Sequence, residues 1–527
     1  MKISSNTKIV FFPVFTFISL CDNINKNTHK RGNIMKKILC VLLSVILMLS
    51  AGVTVFAAEN DTAVSTPIIE QVETDTPVIV VRGMNFAGGL QYDRGTENAR
   101  PVNVKFDAGV LFKYLTKTFA TLITTFSFDA AVSVICEYVV TLFADYPCDE
   151  NGNSVYENIS AEWYPEAVAN HPEVINREAT DEVSLVSSLA DRYGADMVYY
   201  FVYDWRLDPM DNADKLDETV NKALSDHNCD KVDIICCSMG GSITMSYLAE
   251  YGYEKIDTVI SNTSVMFGAD IITDLFRGKV CFEPDTLETF VDSSVPALSG
   301  FVKLTNATGG LDFLCKIVNS FAKKYEEKIY NETLIPTFAT LPGFWSMMKP
   351  EYYSEARQFI FEGKEEQYAG LLTRLDAFYN TVSSKREAIL EEAVAGGMKL
   401  AVIASYNTPI APVYEHAKYQ ADGVVDTSPM SGGALTSVVG KELPAEELFG
   451  DSKYISPDKC INANTCLYKD NTWFIKDAGH VVGKYGSDCV YFLFELLESE
   501  EAPTINTWAE YPQFMISGAD ESLAPMV

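Results

Sequence analysis

The stretch KVDIICCSMGGSITMSYL, residues 231–248, constrains the fold more than any other. An apolar tract of strand length runs into Ser238, then into Gly240 and Gly241, then into a helical pattern. Strand, sharp turn and helix in that order stand a serine clear of a sheet, where it can act as a nucleophile. Such a turn holds its backbone in a strained conformation and needs small neighbours. Gly240 and Gly241 meet that need after the serine, whereas Cys236 stands where the pattern G-x-S-x-G has its first glycine. Cys236 is larger than glycine yet small and apolar, so it crowds the turn without forbidding it. At this point two readings of Ser238 stay open, a nucleophile and a serine in a structural turn.

The rest of the chain repeats the same alternation. A strand at 77–81 ends in a glycine turn; helix 182–193 precedes strand 197–203, helix 213–226 precedes strand 231–237, and helix 241–251 leads to strand 256–262. The alternation stops over 275–396, a helical and aromatic-rich span read as an inserted cap, and resumes with strands at 399–406 and 472–476 and a closing helix near 487–499. This pattern predicts an α/β fold, a mostly parallel doubly wound sheet with helices on both faces and a helical cap inserted. Core segments at 58–274 and 397–527 flank that cap. The apolar residues 107–145 carry Asp129 and Glu137, which predicts packed helices rather than a membrane span. Asp149-Glu-Asn-Gly-Asn-Ser is a turn that lacks the later ligands of a calcium loop.

The amino end reads as a targeting segment. Met35 opens two lysines, an apolar run and Val55-Phe56-Ala57, the marks of a signal peptide over 35–57 cleaved near Ala57 and of a secreted protein. Arg31-Gly32 can be encoded as a purine-rich ribosome-binding sequence, so Met35 is the expected start and residues 1–34 an upstream extension. The full sequence carries a net charge of −31, more negative still without its basic amino end, which repels nucleic acid and anionic headgroups. In an exported chain some cysteines can pair, Cys460 with Cys466 first among them; Cys236 and Cys237 read as buried thiols. No CxxC or HxxxH spacing points to a metal.

A serine hydroxyl needs a histidine to remove its proton and a carboxylate to orient that histidine. On doubly wound sheets with this turn, the chain order is serine, acid, histidine. His171 and His227 precede Ser238, and His416 precedes the acid, which leaves His480 in the loop after the last expected strand. The acid follows the strand at 399–406; Asp422, before a glycine, is the choice and Asp426 the fallback. The backbone N–H of Met239, at the helix start, and that of Met84, after the first strand, are the expected oxyanion donors.

Together these residues resemble the lecithin–cholesterol acyltransferase and phospholipid–diacylglycerol acyltransferase group of α/β-hydrolases. Val202-Tyr-Asp-Trp-Arg206 is similar to that group's YDWR signature, Cys237-Ser-Met-Gly-Gly241 to its H-S-M-G-G turn, residues 340–350 (TLPGFWSMMKP) to its cap segment, and Asp422-Gly-Val-Val425 to its D-G-T-V acid loop. Cys237 replaces the histidine before the nucleophile and Val424 the threonine after the acid's glycine; neither is a catalytic group. The resemblance implies an α/β-hydrolase fold, acyl-ester chemistry on lipid-like substrates, no cofactor, and a hydrophobic acyl pocket under a mobile cap. Trp345 and Met347 are then candidates to line the pocket, with plain core as the other reading. Hydrolysis and transfer to an alcohol stay open, as does transient contact with a lipid surface. A peptidase or amidase on the same fold, and a catalytically silent surface-binding protein, are the rivals.

Overall fold

Short tracts rich in Val, Ile, Phe and Tyr are too apolar to lie at a surface and too short for core-spanning helices, and they become strands of one sheet. The computed structural model of the protein describes residues 68–86, 89–104, 108–179 and 182–527; the expected signal peptide and upstream extension lie outside them. In chain order the strands are β1 (Val78–Val81), β2 (Leu90–Tyr92), β3 (Arg100–Pro101), β4 (Ile159–Ala161), β5 (Val198–Phe201), β6 (Val232–Cys237) and β7 (Ile256–Asn262). After a long helical stretch come β8 (Lys399–Tyr406), β9 (Leu435–Thr436), β10 (Ile461–Asn462), β11 (Thr472–Lys476), β12 (Phe514–Ser517) and β13 (Leu523–Pro525).

Eight of these build the central sheet in the order β13-β12-β11-β8-β7-β6-β1-β5. Every neighbouring pair is parallel except β12 and β13. The α/β class with a mostly parallel sheet is therefore as expected. Helices cover both faces: Glu182–Tyr193 and Asp488–Glu498 share one, tied by Arg192 to Glu498 at 2.8 Å, and Gly240–Tyr251 packs with Pro209–His227 on the other. β12 and β13 were not expected, because short segments at a sheet edge, one of them containing Pro525, carry almost no periodic signal. The same holds for the small sheet β3-β2-β4.

The strand order reverses between β1 and β6. From β1 the chain passes to β5 on one side, then to β6 on the other, so the connections leaving β1 and β6 diverge. In open parallel sheets such a switch point, outside the carboxyl ends of the strands, is where ligands bind. Ser238 follows β6 and Gly83 follows β1 at that point.

The span between β7 and β8 is helical, as expected, but it divides in two. Helices Pro284–Ser294 and Gly310–Lys324 enclose an apolar cluster of their own, with Phe282, Leu287, Phe290, Leu311 and Val318 buried in it. Residues beyond them, including Ile335, Leu341, Trp345 and Leu371, join the main core beneath the sheet's helices. Helices Ala108–Thr125 and Phe128–Leu142 pack on each other, the second burying Val132, Val134, Tyr138 and Leu142. Among the described residues no helix is long and apolar enough to cross a membrane.

Two local readings are corrected or sharpened. Cys460 and Cys466 are free rather than paired: Cys460 Sγ lies against Lys441 O at 3.5 Å, and Cys466 is buried. The Asp149 turn is self-contained, its Oδ1 accepting the N–H groups of Asn151 and Asn153 at 2.9 Å each, and among the described residues no His, Cys, Asp and Glu cluster could hold a metal.

Candidate active site

The six residues of β6 are all buried, and the strand runs straight into Ser238, whose φ is +50°. A non-glycine residue in the left-handed region costs about 1–2 kcal/mol, so the turn is strained at the serine itself. The two glycines serve a different need, close approach. A Cβ on Gly240 would lie 2.4 Å from Val81 O, and one on Gly241 2.8 Å from Met266 N. Cys236 is tolerated because it lies inside β6, its Sγ 3.6 Å from Ile260 O and 3.9 Å from Ser264 Oγ; burial pushes its thiol up to about 11.

His480 and Asp422 meet. His480 Nδ1 and Asp422 Oδ2 are 2.6 Å apart, although 58 residues separate them in the chain. The acid is wrapped by its own loop: Gly423 takes φ +96°, and Asp422 Oδ1 accepts the N–H groups of Val424 at 2.8 Å and Val425 at 2.7 Å. Val424 gives Asp422 its backbone N–H, and its side chain packs against the core. Asp426, the fallback, is engaged elsewhere, accepting from Tyr414 Oη at 2.6 Å and Ile271 N at 3.2 Å; burial and the Asp270 charge raise its pKa.

The loop carrying His480 is stitched to the end of β7. Val481 N donates to Thr263 Oγ1 at 2.9 Å, and Asn262 Nδ2 donates to Val482 O at 2.7 Å. The same β7 exit holds the nucleophile turn, Val265 N donating to Ser238 O at 2.9 Å. All three candidate residues thus leave the carboxyl ends of strands β6, β8 and β11 at one rim. Among the described residues no hydrogen bond joins Ser238 Oγ to His480 or to any other residue. Burial, the largest influence on His480, disfavours its proton. The charge and hydrogen bond of Asp422, with Glu182 behind them, outweigh burial and raise its pKa.

Two backbone N–H groups next to Ser238 or Gly83 in the chain have no partner among the described residues, those of Met239 and Met84. Met239 is the residue before helix Gly240–Tyr251, whose first amides have no carbonyl within the helix. Met84 follows Gly83, and Gly83 touches the serine: a Cβ there would lie 2.7 Å from Ser238 Cβ and 3.3 Å from its Oγ. The Gly83 N–H is already committed to Glu182 Oε1 at 2.9 Å, so of the pair it is Met84 that has a donor to offer. Gly83→Ala is expected to lower kcat/KM at least a hundredfold by pushing the two loops apart, a loss read by steady-state kinetics beside an unchanged circular dichroism spectrum.

Trp345 and Met347, the candidate pocket residues, are buried. Trp345 is 2 % exposed, its Nε1 donates to Ala339 O at 2.9 Å, and it packs on Phe276, Tyr353 and Phe361. Met347 is 5 % exposed. The aromatic packing beside the nucleophile turn comes from other residues, and Trp205 and Phe344 are buried too. Gly343 is pressed against Trp205 O and the Met239 Cε, and Trp205 packs on Phe86 and Phe344 with ring centres 5.1 and 6.0 Å apart. Trp205, Gly343 and Phe344 lie in the YDWR and cap segments already singled out in the sequence; Phe86 and Glu182 belong to no quoted motif and were missed. Asp204 and Arg206 form a buried ion pair, Nη2 to Oδ2 at 2.7 Å. A second His–Asp pair, His416 Nδ1 with Asp274 Oδ2, has the same 2.6 Å separation; what distinguishes the His480–Asp422 pair is its loop, tied to the end of β7 that also holds the Ser238 turn.

Comparison with protein-family models, with curated proteins and with solved structures finds no match to this chain.

Proposed function

We propose that the chain is a serine hydrolase of the α/β-hydrolase type, acting on acyl esters of lipid-like character by hydrolysis or by transfer to an alcohol. The observation that carries the reading is the 2.6 Å Asp422–His480 contact on the rim that also bears the strained Ser238. Ser238 Oγ attacks the ester carbonyl while His480 Nε2 takes its proton, and Asp422 stabilises the imidazolium. The carbonyl oxygen, now negative, accepts from the N–H groups of Met239 and Met84, each worth about 3 kcal/mol of barrier. The intermediate collapses, His480 gives the proton to the leaving alcohol, and an acyl-enzyme remains on Ser238. Water or a second alcohol then attacks the acyl carbon, losing its proton to His480, which returns it to Ser238.

Three features support an apolar acyl group and a lipid-like ester. The Met239 side chain lies against Gly343, which also touches Trp205. Trp205 in turn packs on Phe86 and Phe344. Leu298, Phe301 and Leu304 are 40 %, 72 % and 66 % exposed on one helix, Pro296–Ala307, which suits transient contact with a lipid surface. The reaction needs no metal or cofactor. Export, with cleavage near Ala57, belongs to the same reading and is checked by sequencing the amino terminus of the mature protein.

A fluorophosphonate probe tests the reading. Wild type is expected to label at Ser238, and Ser238→Ala is expected to lose both the label and about six orders of magnitude in kcat on p-nitrophenyl esters. A folded wild type that does not label makes the protein a surface-binding one. Turnover of peptides but not esters makes it an amidase.

A further inference from the structure

We infer that Glu182 is a positioning residue of this site, clamping the Gly83–Met84 backbone against the nucleophile and setting a second negative charge beside the His480 imidazole. The inference rests on the serine-hydrolase reading of the site. Glu182 opens the helix Glu182–Tyr193 and is buried, 7 % exposed. A buried carboxylate is rarely left where it serves no purpose, since desolvation opposes its charge. Its Oε1 accepts the Gly83 N–H at 2.9 Å. The absent Cβ of Gly83 marks the closeness of the assembly, with Glu182 Oε1 2.8 Å from that position and Ser238 Oγ 3.3 Å from it. Only a glycine lets the carboxylate and the nucleophile meet across one backbone.

Two consequences follow from the chemistry. The clamp takes up the Gly83 donor and holds the next amide, that of Met84, beside the serine, where an oxyanion forms. The charge favours the imidazolium that His480 becomes when it takes the serine proton. The groups that act on His480 are Asp422 from the acid loop and Glu182 from the helix; Tyr203, with Arg82 near it, lies beside Glu182 on the β5 side. Asp422 is hydrogen-bonded to the imidazole, and Glu182, held at Gly83 next to the nucleophile, acts on it through its charge.

The test separates charge from clamp. Glu182→Gln keeps an oxygen to accept the Gly83 N–H and removes the charge. It is expected to move the acid limb of kcat/KM down by about one pH unit, because an imidazole with less negative charge beside it loses its proton earlier. Glu182→Asp keeps the charge but draws the carboxylate back from Gly83. It is expected to lower kcat about tenfold with the limb unmoved, and it serves also if the glutamine variant folds poorly. A limb unmoved in Glu182→Gln, or a kcat unmoved in Glu182→Asp, overturns the inference. Titration of the His480 imidazole by NMR distinguishes this failure from that of the wider reading. A shift in Glu182→Gln in a protein that no fluorophosphonate labels keeps the electrostatic pairing and rejects the enzyme, whereas no shift rejects Glu182 alone when Ser238 still labels.

Discussion

Asp422→Asn is expected to lower kcat by about four orders of magnitude while leaving the fold in place. The reason lies in which oxygen does what. Asp422 Oδ1 holds two backbone N–H groups, those of Val424 and Val425, and Oδ2 faces His480 Nδ1. An asparagine keeps its single oxygen where the two donors are, so its amide nitrogen turns to the imidazole. That nitrogen donates and cannot accept, so Nδ1 must become the acceptor and the ring proton moves to Nε2. A protonated Nε2 cannot take the serine proton. Ester turnover against enzyme concentration measures the loss, with thermal unfolding as the check on folding; activity within tenfold of wild type would reject Asp422 as the orienting acid. His416→Ala, which breaks the other imidazole–carboxylate pair, is expected to leave kcat within severalfold.

Arg206→Ala is expected to destabilise the protein by about 3–5 kcal/mol, read as a lower denaturant midpoint. The guanidinium is wholly buried, and Nε and Nη2 reach the two Asp204 oxygens at 2.9 and 2.7 Å. Removing the cation leaves an uncompensated carboxylate in the core, which costs more than the pair contributes. The double change Asp204→Leu with Arg206→Met removes both charges and is therefore expected to cost less than Arg206→Ala alone. If the double variant is the less stable, the pair matters through its shape rather than through the penalty on a lone charge. Because the pair lies immediately after β5 and far in function from proton transfer, the folded fraction of Arg206→Ala should keep its pH profile.

Much of this architecture is legible in the chain because its causes are local. A tract such as VDIICC, apolar but for Asp233, has too little polar surface to show to water and becomes a strand buried on both sides. The helix pattern after it, with a glycine pair between, puts the serine at a turn before any tertiary contact is known. The order of histidines and acids then leaves His480 and a short acid loop. Other features leave no such trace. β12 and β13 exist because β11 offers an edge to pair with, and Phe514 stacks on Phe474 only once they are neighbours. Trp345 gives no sign in sequence of the rings it meets; Phe276, Tyr353 and Phe361 surround it only once the chain has folded.

The chain by itself determined its α/β class, the strand–turn–helix at Ser238 and a short roster of acids and bases, since hydrophobic period, small residues at a turn and chain order are properties of neighbours in sequence. The tertiary structure decided which acid meets His480, that Cys460 and Cys466 stay apart, and that Glu182 reaches Gly83. Those are matters of distance between segments tens to hundreds of residues apart, and only the packing of helices on both faces of the assembled sheet sets such distances.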